Sequence, residues 1–215
     1  MPTRPFWTSL LTAPSAKTSS SRTSSTTIQG PGAVDFMCGP LVYDTHGGTD
    51  IRLLSIEQME AGVPVLAATS DEVVGIRDSM DDVRVSTIGR DSLDGRDAGN
   101  GVRINHGDGW ATQYAHIMKG SVRVNVGERV ETGQALGFVG MSGNADFPHL
   151  HLSVSYEDQK LDPYVGVTDD YACGESVSPV WSTQSLNRLP YLSGGGLQAG
   201  FAAGKSKTET TRNSY

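Results

Sequence analysis

Between Gly30 and about Tyr164, apolar and polar residues alternate in short runs separated by glycine-containing turns. The runs are VPVLAA, EVVGIR, GVRINH, ATQYAHI, SVRVNV, ALGFVG and HLHLSVSY. A period of two buries one face of a strand and leaves the other polar. The pattern therefore predicts an all-β domain, mainly antiparallel sheet. Asp108-Gly109 in HGDGW is a hairpin signal that makes GVRINH and ATQYAHI antiparallel neighbours. One weak helical turn is predicted around SIEQMEAG. The segment RDSMDDVRVSTIGRDSLDGRDAGN, Arg77 to Asn100, breaks the pattern. It is too long for a hairpin turn and reads as a surface excursion, either a loop that shapes a cleft or a solvated insertion.

The flanks have a different texture. Residues 1–30 read as a low-complexity linker or leader, because the Ser, Thr, Ala and Lys between Pro14 and Thr27 cannot bury a core. MPTRPFWTSLLTAPSA fits the three-part signal-peptide pattern poorly. Residues 31–168 hold the domain. Residues 169–215 read as a C-terminal extension, with scattered apolar positions and then a polar tail, and are expected to be partly disordered.

Composition narrows the function classes. A hydrophobic content of 37% with 26 glycines in 215 residues fits a small core with many turns. The net charge of -7 gives no basic footprint for nucleic acid. An anionic polymer would have to be held by local contacts. No apolar run approaches the roughly 18 residues of a transmembrane helix. The two cysteines, Cys38 and Cys173, bracket the alternating region. A disulfide between them would tie the two ends of one domain together and imply an oxidising compartment; the other reading is two unrelated buried thiols.

The candidate chemistry lies in five histidines: His46, His106, His116, His149 and His151. In HLHLSV, His149 and His151 share one strand face, and Leu150, Leu152 and Val154 share the other. In ATQYAHI, alternation groups His116 with Thr112 and Tyr114, opposite Ala115 and Ile117. Three histidines from two strands thus avoid the apolar side, which points to a shared site. In THGGTDI, Gly47 and Gly48 disfavour a helix. They suggest a flexed approach to a strand that brings His46 and Asp50 together and lets the chain pass close to an ion. His106 shares a face with Val102 and Ile104 and reads as a structural histidine at a strand end.

HGGTD, then YAHI, then GFVGMSGNADFPHLHLSV resembles the lysostaphin and LytM type of zinc metallopeptidase, the M23 family, over about Cys38 to Tyr164. The ordered set is specific, although each motif alone is weak. The resemblance implies a LytM/lysostaphin-like core and one Zn2+ per chain held by His46, Asp50 and His151. It implies His116 and His149 as the catalytic pair, and peptidoglycan stems or cross-links as the peptide substrate. It also implies an extracytoplasmic location, periplasmic or secreted. Three N/O ligands with an open fourth position agree with a catalytic zinc, and the absence of an H-E-x-x-H motif excludes a thermolysin-like arrangement. Two other readings remain. One is an inactive relative that binds or activates cell-wall hydrolases. The other is a carrier-type β domain suggested by VGERVETGQALG, which lacks a modifiable lysine at a hairpin tip.

Overall fold

The computed structural model describes residues 22–23, 34–39, 46–167, 172–174 and 178–188. The linker or leader expected before residue 30 and the polar C-terminal tail lie almost wholly outside the described residues. In chain order the elements are β1 (Arg22–Thr23), β2 (Thr49–Arg52), α1 (Ile56–Glu60), β3 (Pro64–Leu66), β4 (Asp71–Arg77), α2 (Val85–Ile88), β5 (Asn100–Asn105) and β6 (Trp110–Ile117). They continue with β7 (Arg129–Val130), β8 (Ala135–Phe138), β9 (His149–Tyr156), β10 (Gln159–Leu161) and α3 (Thr183–Arg188). Helices are few and short, and the fold is mainly antiparallel sheet, as the alternation predicts. The large sheet runs β1-β2-β9-β6-β5-β4-β7, with β10 also on β9, and β3 and β8 form a separate pair.

Period-two burial explains the central strands. Leu150, Leu152 and Val154 of β9 are fully buried, as are Ile104 of β5 and Tyr114 of β6, in one core cluster. Tyr114 brings a polar atom into this core and satisfies it: its hydroxyl accepts a hydrogen bond from the Ala68 amide at 2.8 Å. Burial pushes the phenol pKa up to about 12. The β5–β6 hairpin turns at Gly107, Asp108 and Gly109, all with positive φ, so Asp-Gly here supplies the left-handed geometry that such turns need. α1 forms where the helical turn is predicted, with the Ser55 hydroxyl capping the Gln58 amide at 3.3 Å.

One expected strand is missing. SVRVNV buries Val124 but leaves Val126 64% exposed, and no strand is present over residues 121–126. The Asp78 carboxylate takes the amides of Gly120 and Val122 at 2.7 and 3.2 Å, so the chain entering this stretch is hydrogen-bonded to a side chain instead of a ladder.

The two ends of the domain meet. Cys38 and Cys173 form a disulfide with Cα atoms 5.4 Å apart, and the Gly174 amide donates to the Phe36 carbonyl at 2.8 Å. Phe36 stacks on Tyr164 at 5.0 Å, and Tyr164 meets Trp181 at 6.3 Å. Val180 and Trp181, within the expected extension, are buried in the main cluster. The bridge spans a sequence separation of 135 residues, for which loop-closure entropy gives about 5 kcal/mol. Reducing it is expected to lower unfolding free energy by about 2–5 kcal/mol, read from urea unfolding with and without reductant. Superimposable curves would show that the bridge contributes nothing.

Candidate metal centre and active site

β2 and β9 pair so that Asp50 lies directly opposite His151, and Arg52 opposite His149. Cross-strand partners have Cβ atoms about 5 Å apart, close enough for a carboxylate to reach an imidazole. The Asp50 Oδ1 lies 2.7 Å from His151 Nδ1, 3.1 Å from His46 Nε2 and 3.8 Å from His149 Nε2. Burial alone would raise the Asp50 pKa. The adjoining His149 ring, the hydrogen bond from His151 and the close His46 nitrogen outweigh it and hold the carboxyl well below its usual range.

His46 reaches this point through Gly47 and Gly48, the flexed entry into a strand that the sequence suggests. A Cβ on Gly48 would lie 2.6 Å from His151 Nε2 and 2.6 Å from the Leu152 carbonyl oxygen. Only glycine lets the loop pass the ring so closely. Gly47 is less constrained, because a Cβ there would meet only the flexible Lys160 side chain, at 2.7 Å from its Cδ.

His116 arrives by a route that alternation does not predict. Thr112 and Tyr114 are buried, and Tyr114 sits in the apolar core, opposite Val102 of β5. Regular pleating would send His116 into the core beside them. The face assigned to His116 from the sequence is therefore corrected. Asn100 pairs with Ile117 and Gly101 with Ala115, which leaves His116 as the extra residue of a β-bulge, with φ of 61°. A bulge re-aims a side chain, and this one turns the imidazole to the side of Gln113 and Ala115. The backbone of His116 is held on both sides, its amide donating to Ala98 at 3.0 Å and its carbonyl accepting from Gly140 at 2.9 Å.

The Arg77–Asn100 excursion builds part of this support. Asn100 is fully buried, and its side chain bonds Met80 twice, at 2.8 Å each, and Ile117 once. Its amide donates to the Ser142 hydroxyl, which donates to Ile117. The Ser142 carbonyl then accepts from His116 Nδ1 at 2.7 Å. Asn100 and Ser142 went unassigned in the sequence, and no local signal marks them, because their partners are distant along the chain.

His149 Nδ1 lies 2.9 Å from the Phe147 carbonyl. Carbonyls only accept, so both His116 and His149 carry their hydrogen on Nδ1 and present a lone pair on Nε2 when neutral. Desolvation lowers both pKa values, well below the usual value for His116, so both rings are held neutral. Their centroids are 4.5 Å apart. His106 stands elsewhere, bonded to the Ser70 carbonyl and the Thr112 hydroxyl, in keeping with a structural role.

The three atoms offered by His46, Asp50 and His151 lie within 4.8 Å of one another. Two imidazole nitrogens and an ionised carboxylate oxygen are a donor set that fits a divalent metal ion. A cleft of about 300 Å³ opens at His46 and His151, lined also by His116, Arg90, Asn144 and Lys160 among others. The strands and the loop before β2 thus bring together His46, Asp50, His116, His149 and His151, and leave His106 apart.

Residues 44–163 match the sequence profile of peptidase family M23. The chain belongs to peptidase family M23. Among similar proteins, the cell division protein DipM of Caulobacter vibrioides is 41% identical over 58 residues, 27% of this chain and 9% of DipM. The peptidoglycan DD-endopeptidase ShyA of Vibrio cholerae is 43% identical over 57 residues, 26% of this chain and 13% of ShyA. The chain thus spans only a small part of the length of these relatives. A solved catalytic domain of the prophage-encoded M23 protein EnpA from Enterococcus faecalis, carrying a point mutation, aligns with 77% of this chain and 98% of its own. That alignment has 21% identity and a TM-score of 0.49.

The glycine geometry makes a paired test. Gly48→Ala is expected to weaken metal binding roughly 10–100-fold by displacing the His151 ring, whereas Gly47→Ala leaves it nearly unchanged. Titration against a metallochromic chelator reads both. Equal affinities for the two variants would contradict the close approach at Gly48.

Proposed function

We propose that this chain is a zinc-dependent endopeptidase that hydrolyses peptide bonds in bacterial peptidoglycan stems or cross-links. The observation that carries the reading is three convergent N/O donors, two of them lining a cleft, beside two imidazoles held neutral. Catalytic zinc sites have three protein ligands and an open position, and His46, Asp50 and His151 would hold the ion. When bound, zinc lowers the pKa of a water and polarises the scissile carbonyl.

His116 and His149 do the proton work in this reading. Each ring is fixed by a backbone carbonyl at Nδ1, so its Nε2 faces the site ready to take a proton. One ring accepts the proton of the attacking water, and the pair returns one to the leaving amine. A ring that has become an imidazolium donates toward the negative charge developing on the carbonyl oxygen. Retention of all five residues favours hydrolysis over an inactive binding module. The name of ShyA supports peptidoglycan as the substrate, and the Cys38–Cys173 bridge supports an oxidising, extracytoplasmic location.

The purified protein is expected to hold about one zinc per chain. His46→Ala and Asp50→Ala lose the metal. His116→Ala and His149→Ala keep it and lose roughly 10²–10⁴-fold in cleavage rate. Elemental analysis and mass spectrometry of peptidoglycan digests, with and without chelator, check these outcomes. Digestion that ignores the chelator, or undiminished turnover in both histidine variants, would contradict the reading.

A further inference from the structure

The cleft face of the large sheet continues beyond the donor group. β10 pairs with β9 so that Lys160 lies opposite Ser155. Ser155, Ser153 and His151 alternate along β9, so Lys160 stands on the same face as all three. Gln113 of β6 lies opposite Ser153, and Arg103 of β5 lies opposite Gln113. A second hollow, of about 80 Å³, is lined by Arg103, Ser155 and Asp158 among others. It shares Gln113, Ser153 and Lys160 with the cleft at His46 and His151. The two hollows make one groove across the sheet, and Lys160 stands at their junction.

The charges along this groove are answered in pairs, with one exception. Arg90 lies 2.8 Å from Asp97, and Arg103 lies 3.4 Å from Asp158. Among the described residues, Lys160 has no ion-pair partner. Its stem lies against Gly47, where a Cβ would meet Lys160 Cδ at 2.7 Å and Nζ at 3.0 Å. The side chain that glycine lacks is the space the lysine occupies, and the ammonium is thereby held beside the residue that follows His46. A chain of net charge -7 offers an anion no general attraction. An unanswered ammonium in a groove does so locally, and it makes strong charge-assisted hydrogen bonds to carboxylates.

We propose that Lys160 is a specificity-determining residue of this groove, binding a free carboxylate that the peptide carries beside the scissile bond. The proposal rests on the endopeptidase reading and narrows it. The preferred substrate is a carboxylate-bearing stem cross-link, not an uncharged glycine bridge. Gln113, Ser153 and Ser155 add no charge to the floor, so the ammonium sets the register in which such a peptide lies along it.

The test uses two cross-linked stem-peptide dimers, identical except that the carboxylates beside the cross-link are free in one and carboxamides in the other. The readout is the ratio of kcat/KM for the free acid to that for the amide, in zinc-loaded protein. Wild type is expected to favour the acid by about 3–10-fold, chiefly through KM. Lys160→Met is expected to bring the ratio near one, Lys160→Glu to invert it, and Lys160→Arg to keep it. A wild-type ratio of one overturns the proposal. So does a preference that survives in Lys160→Met, which would place the carboxylate on the metal or on Arg90. Calorimetric binding of the same two dimers separates this proposal from the reading beneath it. If wild type cleaves neither dimer, the endopeptidase reading fails. Tighter binding of the acid that is lost in Lys160→Met then still upholds the carboxylate site, and equal or absent binding overturns it.

Discussion

Asp50 places an ionised carboxylate in the interior of a small β-domain, and the architecture around it answers that charge. An uncompensated buried charge costs several kcal/mol. Here three imidazoles lie within 3.8 Å of one carboxylate oxygen. The β2–β9 register brings His151 opposite Asp50. The two glycines allow His46 to fold back onto the same oxygen. Burial of the rest of the cluster keeps His116 and His149 neutral, so a single anion and several lone pairs converge on one point. Such an arrangement favours a cation, and the proposed metal site follows from that electrostatic demand.

The scaffold divides the labour between regular and irregular backbone. Regular pleating in β9 keeps Leu150, Leu152 and Val154 in the core and fixes His149 and His151 one repeat apart on the opposite face. Irregular backbone supplies what pleating cannot. The bulge at His116 carries a ring from the core side of β6 to the cleft side. The Arg77–Asn100 excursion, through Asn100 and Ser142, braces that bulge from behind. A segment with a loop-like sequence therefore acts as part of the wall that holds an imidazole.

The same division explains what was legible in the sequence. β9, β5 and the hairpin at Asp108-Gly109 could be read because burial, period and turn chemistry agree there. His46 and Asp50 were legible as a pair because two glycines in succession argue against a helix. The sense in which His116 joins the site was not. Strict alternation groups it with Thr112 and Tyr114, and only the extra residue in the ladder reverses its face. The strand expected over residues 121–126 failed for a related reason: Asp78, more than forty residues earlier, takes the Gly120 and Val122 amides. Period and turn propensity report local physics, whereas these contacts are set by tertiary packing.

The central claim is that one carboxylate gathers a three-donor metal site while two further imidazoles stay unligated beside it. Anomalous diffraction at the zinc edge from crystals of the zinc-loaded protein tests it most directly. A single peak bonded to His46 Nε2, Asp50 Oδ1 and His151 Nδ1, with His116 and His149 outside bonding distance, is the result this account predicts. A peak bonded to His116 or His149 in place of one of those three, or lying away from Asp50, would contradict it.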